Sequence, residues 1–303
     1  MKKILSKILC STALSIIMIS SSWAWPTKPV TIVVTSTPGA ASDQIARGIQ
    51  TQLSEKLGVP IVIAYKPGGD TAVGTRFVVH SNDNHTILLS SGQISSLKNP
   101  VGDHTLDNLK AISIVAVSPS IVTTASDRKV ANVKQMLSAA DLTSGAAAGT
   151  VSEFLIKATN KSWTYVGYKG GVPMFTDLIA KHIDLGANSA MGSYTYINGG
   201  RLKPLMVFSK SRIAQFPEVP TSYELDIPLS GEVWFGFLGN RSMSDSIINR
   251  LSVAINDIVK EPKLFDQLTR QGATVLALGP VASQRYIEED LKNLTKIYKD
   301  SIK

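Results

Sequence analysis

Two short stretches place the same residue types in the same order. "TSTPGAASDQIARG" covers residues 35–48 and "YKPGGDTAVG" covers residues 65–74. Each follows an apolar run, turns through Pro and Gly, continues with small residues and opens a segment with helical spacing. A strand-to-helix turn of this kind leaves the first helical N–H groups unpaired and uncrowded, which suits an anion. Pro-Gly is also common turn chemistry, so either stretch alone has a purely structural explanation. The pair suggests two helix N-termini brought to one crevice, where open α/β sheets bind ligands.

Asp43 lies in the first turn of the helix that follows the first stretch. It suits the helix dipole there and can bond back to free N–H groups. Two roles are open: an ordinary cap, or a residue that fixes the loop so that neighbouring N–H groups face a ligand.

Other chemistry finds less support. A phosphate-binding P-loop fails at residues 69–74, because Thr75 and Arg76 stand where Lys and Ser or Thr are needed. His80 and His85 bracket Asp83 in "HSNDNHT", but the spacing matches no standard metal motif and reads as a surface turn. No Gly-x-Ser-x-Gly elbow is present, and His104 and His182 lie in unremarkable surroundings. No catalytic residue, metal ligand or cofactor site is therefore expected. Trp234 and Phe235 fit either a pocket wall or the core.

The elements that must position these turns alternate. "VTIVV", the helical spacing of Ile45, Ile49, Leu53 and Leu57, "VPIVIAY", the helix "TAVGTRFVVH" and "TILLS" read as strand, helix, strand, helix, strand. That is the signature of an α/β fold. "TYVGY", a helix over 172–180, "HIDLGAN", a helix over 190–197 and "LKPLMVFS" form a second alternating set and predict a second α/β lobe. The apolar runs "AISIVAVSPSIVTTA" and "EVWFGFLG" flank that set and are the expected crossovers. The tail from residue 244 reads as helices around one strand, "ATVLALG".

Residues 1–24 carry Lys2, Lys3 and Lys7 ahead of an apolar stretch, then Ser22 and Ala24. This is the pattern of a secretory signal peptide cleaved after Ala24. The apolar stretch, residues 8–19, is shorter than the roughly 20 residues of a spanning helix. Cys10, the one cysteine, falls in this segment, so the mature chain is expected to have neither disulfides nor thiolate metal sites. Loss of three lysines takes the net charge from +8 to +5, and no basic cluster interleaved with aromatics points to nucleic acid.

The ordered set "WPTKPVTIVV", "PGAASDQIAR", "LGVPIVIAYKPGGDTAVG", "YKGG" and "FPEVPTSYE" followed by "EVWFGF" resembles the substrate-binding receptors of tripartite tricarboxylate transporters, also called Bug receptors. The resemblance runs over nearly the whole mature chain. It implies a two-lobed type II periplasmic-binding-protein fold, with lobe 1 at residues 25–124 and 232–303, lobe 2 at 125–231, and a small carboxylate between them. Carried over by position, the first loop is Pro38, Gly39, Ala40, Ala41 and Asp43, and the second is Lys66, Pro67, Gly68, Gly69, Asp70 and Thr71. Lobe 2 would add Ser144, Gly145, Gly149 and Thr150 of the "SGAAAGT" turn, with Tyr168 and Lys169. The chain departs from the family at Ala40, where a second Gly is usual, and at Tyr65 and Lys66, where Asn-Arg is usual. It also has "NDNHT" for "PDGYT" and lacks the Ser-rich end of the "SGAAAGT" segment. These departures gather round the expected pocket and bear on ligand choice.

The function implied is a monomeric periplasmic receptor that delivers a carboxylate to membrane transporter subunits, binds no nucleic acid and changes nothing chemically. A sensor presenting its closed form to a membrane signalling partner fits the same fold. An exported enzyme has no converging nucleophile, base or metal set behind it.

Overall fold

The computed structural model describes residues 25–69, 71–92, 106–128, 130, 132–146 and 150–300, and the side chains of 150, 151, 154 and 294–300 are not among those described. The expected signal peptide, Cys10, Asp70 and Gly149 lie outside the described residues, as does the side chain of Thr150. Among the described residues, no helix is long and apolar enough to cross a membrane.

The first βα units form as their periodicity requires. Strand β1 (Val30–Val34) is buried almost throughout and lies between β2 (Ile61–Tyr65) and β3 (Thr86–Ser91), parallel to both. Helix α1 (Ala41–Leu57) buries Ile45, Ile49, Leu53 and Leu57 against this sheet and ends on Gly58 in the left-handed region (φ 75°). Helix α2 (Ala72–Val79) follows β2 and packs Val78 against the opposite face, with Val33 and Leu88.

The two expected crossovers are one feature. Strand β4 (Leu109–Ala125) pairs with β9 (Glu232–Asn240) over Leu109 to Pro119, then with β7 (Leu185–Ser189) and β8 (Leu202–Val207) from Ser120 onward. Where it changes partners, Ser120 N–H donates to the Gly231 carbonyl at 2.8 Å. The principal strand order is β2-β1-β3-β9-β4-β7, followed by two further strands at residues 143–146 and 164–167, so β4 and β9 carry the chain between two halves of one continuous sheet. The second half is completed by β5 (Thr143–Ala146) and β6 (Thr164–Gly167), parallel to each other, with helices α3 (Val133–Ser138), α4 (Thr150–Ala158), α5 (Gly171–Ile179) and α6 (Ala190–Asn198). Helices α7 (Asp245–Val259), α8 (Pro262–Arg270) and α9 (Pro280–Asp300) return to the first half.

Two elements differ from the sequence reading. The "SGAAAGT" segment begins as buried strand β5, where a turn is expected. Its residues are small because larger neighbours fill the space: a Cβ on Gly145 would stand 2.7 Å from Ile183 and 2.8 Å from Tyr168. In the tail, only Thr274–Val275 of "ATVLALG" forms a strand, β10, antiparallel to Val117 and Ala116 of β4.

The His80, Asp83 and His85 group is a packed turn. His85 donates from Nδ1 to the Asp83 carbonyl (2.6 Å) and accepts the Thr27 N–H at Nε2 (3.0 Å), while Asp83 pairs with Lys28. Among the described residues, no cluster of three or more His, Cys, Asp or Glu is placed to hold a metal.

Candidate functional site

The loop between β1 and α1 is held from behind. Asp43, 4% exposed, accepts the Gly39 N–H at Oδ2 (2.7 Å), the Tyr65 hydroxyl at Oδ1 (2.5 Å) and the Arg47 Nε (2.9 Å). Arg47 also donates to the Tyr65 oxygen (2.8 Å), which closes the network. Burial acts to raise the Asp43 pKa, but the hydrogen bonds from Tyr65, Gly39 and Arg47 outweigh it and hold the carboxyl below its ordinary value. Asp43 thus reaches back to an N–H ahead of the helix, as a capping box does, while fixing Gly39 in the left-handed region (φ 84°).

This frees the front of the loop. The helical ladder of α1 starts with Gln44 N–H to the Ala40 carbonyl (3.1 Å), so the N–H groups of Ala41 and Ser42 have no acceptor within the helix. Ala40, at the N-cap, supplies no side-chain bond. Gly39, Ala40, Ala41 and Ser42 line a cleft of about 890 Å³ between the two halves of the sheet, a volume typical of small-molecule sites.

Facing it is the start of α5. Gly170 at its N-cap supplies no side-chain bond, and Pro173 in its first turn has no N–H, so Gly171 and Val172 carry the free donors. Gly170, Gly171 and Val172 line the same cleft. The lobes touch here: a Cβ on Gly170 would stand 3.2 Å from the Thr37 hydroxyl oxygen, and one on Gly39 would stand 3.7 Å from Val172. The hydroxyl oxygens of Ser36 and Thr37 are buried beside this contact and have no hydrogen-bond partner among the described residues. The third helix start on the cleft, that of α6, is capped by Ser189 Oγ, which accepts the Gly192 N–H at 3.1 Å. Two uncapped N-termini therefore face one cavity from opposite lobes, each carrying roughly half a positive charge.

The second sequence-predicted loop lies elsewhere. Lys66, Gly68, Gly69 and Thr71 do not line the cleft, and the loop takes its own helix N–H groups: Ala72 donates to the Gly69 carbonyl (2.9 Å) and Thr75 to Thr71 (3.0 Å). Lys66 stacks its ammonium 4.2 Å from the Phe77 ring. In lobe 2, the Ser144 hydroxyl of β5 donates to the Ser152 hydroxyl of α4, and the Tyr168 hydroxyl donates to Asp177 (2.8 Å). Burial, followed by that bond, raises the Tyr168 pKa to about 12. Lys169 is exposed, and Pro38 stands at the exposed outer side of the first loop. Of the predicted positions, Gly39, Ala40 and Ala41 line the cavity, with Asp43 directly behind them.

Residues that sequence reasoning passed over complete the wall. Ser91 and Asn188 come from the ends of β3 and β7, Ser120 from the point where β4 changes partners, and Phe175, Tyr196 and Phe208 give it an apolar side. Phe175 and Tyr196 pack at a tilt of 38° with ring centroids 4.4 Å apart. Phe235 lines the cleft as well, whereas Trp234 turns into the core and donates from Nε1 to Asp290 (3.0 Å). At the mouth, Glu232 and Tyr286 interact; burial and then the acids Glu232 and Asp290 raise the tyrosine pKa. Asn188 did carry a signal: "NSAMG" is a polar strand end running into a Ser cap with Gly three residues on.

Two α/β halves joined by crossing strands, with a cleft between them walled by helix starts, define a two-lobed periplasmic binding-protein fold. Solved structures share it: an R. palustris protein, Rpa4515, with adipate (TM-score 0.85, 24% identity, 91% of this chain and 98% of that one) and the periplasmic binding protein BugD (0.84, 24%, 91% and 98%). Among curated proteins, the UPF0065 protein of the tcbD-tcbE intergenic region from Pseudomonas sp. strain P51 is 29% identical over 273 residues, 85% of this chain and 81% of the relative. Residues 45–301 match the tripartite tricarboxylate transporter family receptor, and the chain belongs to that family of solute-binding receptors.

Proposed function

We propose that this chain binds a small carboxylate between its lobes, unaltered, and hands it to the membrane subunits of a tripartite transporter. The observation that carries this is the pair of uncapped helix starts, α1 and α5, facing one cavity with the buried, unpartnered hydroxyls of Ser36 and Thr37 beside them. Such a site offers donors and positive partial charge, and among the described residues no side chains in it are arranged as nucleophile and base. The adipate in a structural neighbour supports a carboxylate ligand, since that neighbour has the same fold.

On this reading the protein works as a monomer in the periplasm after cleavage behind Ala24. Lobe 1 comprises 25–124 and 232–303, lobe 2 comprises 125–231, and β4 with the Gly231–Glu232 junction acts as the hinge. The ligand touches both lobes only when they are together, so its differential contacts favour closure. The test is native mass spectrometry of protein purified from the periplasm, followed by scattering and melting with the acid recovered. At a hundredfold excess over Kd, the acid should compact the protein and add about 2.7 kcal/mol of stability. Recovery of a chemically altered acid, or neither compaction nor stabilisation across a carboxylate panel, would refute the proposal.

A further inference from the structure

We propose that Asn188 is the side chain with which the second lobe reads the bound carboxylate, its amide Nδ2 donating to a carboxylate oxygen; this rests on the receptor function above.

Asn188 lies near the end of β7, opposite Ile121 of β4. Its Oδ1 accepts the Ser189 N–H at 2.7 Å. Because that neighbour is a donor, the atom facing it must be the oxygen, and Nδ2 points the other way. Nδ2 lies 2.1 Å from where a Cβ on Gly171 would stand, and Oδ1 lies 3.3 Å from where one on Gly192 would stand. The amide therefore occupies space between the starts of α5 and α6 that two glycines leave open, and even an alanine at 171 would displace it. Among the described residues, Nδ2 has no hydrogen-bond partner, and Asn188 lines the cleft.

An amide held in this way presents N–H donors beside the uncapped start of α5. It suits a carboxylate oxygen and opposes an ammonium group, which has no acceptor to offer. It also gives lobe 2 a directional contact, fixed in position before the ligand arrives, to oppose the Ala41 and Ser42 N–H groups of lobe 1.

The decisive variant is Asn188→Asp, which keeps the volume and the acceptor for Ser189. Its negative charge is favourable next to a helix N-terminus in the ligand-free protein, yet repels a carboxylate. Calorimetric titration with succinate, glutarate, adipate and benzoate is compared with melting of ligand-free protein for wild type, Asn188→Asp and Asn188→Ala. The expected result is ligand-free melting that is unchanged or higher for Asn188→Asp, with affinity lower by at least about a hundredfold. Asn188→Ala should melt nearly as wild type and lose about tenfold in affinity, the worth of one hydrogen bond to a charged group. Binding within threefold of wild type in both variants would overturn the inference, as would parallel losses of melting temperature and affinity, which would make Asn188 a brace for the corner between β7 and α6. A wild type that binds none of the four acids overturns the receptor reading and this inference with it, whereas a wild type that binds, with both variants binding equally well, overturns only the inference.

Discussion

Replacing Asp43 by Asn separates the two roles that its position allows. One amide oxygen can still accept the Gly39 N–H, so the loop stays in place. The amide nitrogen then faces Tyr65 and Arg47. The tyrosine hydroxyl can rotate to accept, but Arg47 is a donor only and, at 59% side-chain exposure, will turn to solvent. Two charge-assisted bonds become neutral, at about 1 kcal/mol each, and a half-exposed ion pair adds up to about 0.5 kcal/mol. The expected cost is about 2 kcal/mol, or roughly 5 °C in melting temperature for a chain of this size. Because the folded pKa of Asp43 is depressed, its contribution is complete above the unfolded value of about 4 and is lost as pH falls through the folded value. The gap between wild type and Asp43→Asn should therefore be constant near neutrality and close in acid. Urea unfolding at several pH values measures it, and ligand affinity should move by less than about threefold since Gly39 remains held. A gap that persists unchanged in acid would refute the electrostatic account. A tenfold affinity loss with unchanged stability would show that Asp43 meets the ligand directly.

Two further changes probe the frame of the site. Gly39→Ala puts a Cβ on a residue at φ 84°, with only an ordinary 3.7 Å contact to Val172, so backbone strain alone should cost about 1–2 kcal/mol in urea unfolding. Trp234→Phe removes the bond to Asp290 that ties β9 to α9 and leaves unfilled space in the core; it should cost about 2–3 kcal/mol by chemical denaturation, and a loss under about 0.5 kcal/mol would contradict the packing described.

How much of this was legible in the sequence depends on where the information lies. The βα units were readable because Ile45, Ile49, Leu53 and Leu57 repeat at helical spacing and "VTIVV" is one apolar run. Strand β5 was not, because Thr143, Ser144, Gly145 and Ala146 are all small and alternation has nothing to act on; the bulk that buries them belongs to Ile183, Met174 and Tyr168. The two Pro-Gly turns look equivalent as text, and what separates them is where their N–H groups go. Gly68, Gly69 and Thr71 all take positive φ (119°, 58° and 78°), which folds the second loop onto its own helix start. The first loop has one such residue, Gly39, and hands its N–H to Asp43. Ser91, Ser120 and Asn188 are hard to single out because each is a small polar residue on a different strand, far apart in sequence, and only the β4 and β9 crossing brings them to one cleft.

On the proposed reading, the site's charge makes a ligand necessary for stable closure. The starts of α1 and α5 each carry roughly half a positive charge, and neither is neutralised by a side-chain cap. Asp43 offsets the first only in part, because its carboxylate takes the Gly39 N–H but is shared with Arg47 and Tyr65 behind the loop. Two like half-charges at a separation of about 8 Å and an effective dielectric of about 20 would repel by about 0.5 kcal/mol. One carboxylate about 4 Å from both is attracted by about 4 kcal/mol in total before its own desolvation is counted. Bringing the lobes together is thus mildly unfavourable when empty and favourable around an anion. A neutral molecule of the same shape could fill the cavity and touch Phe175 and Tyr196, but it would leave the two helix starts opposed. On the proposed reading, closure is consequently coupled to the charge of the ligand as well as to its fit.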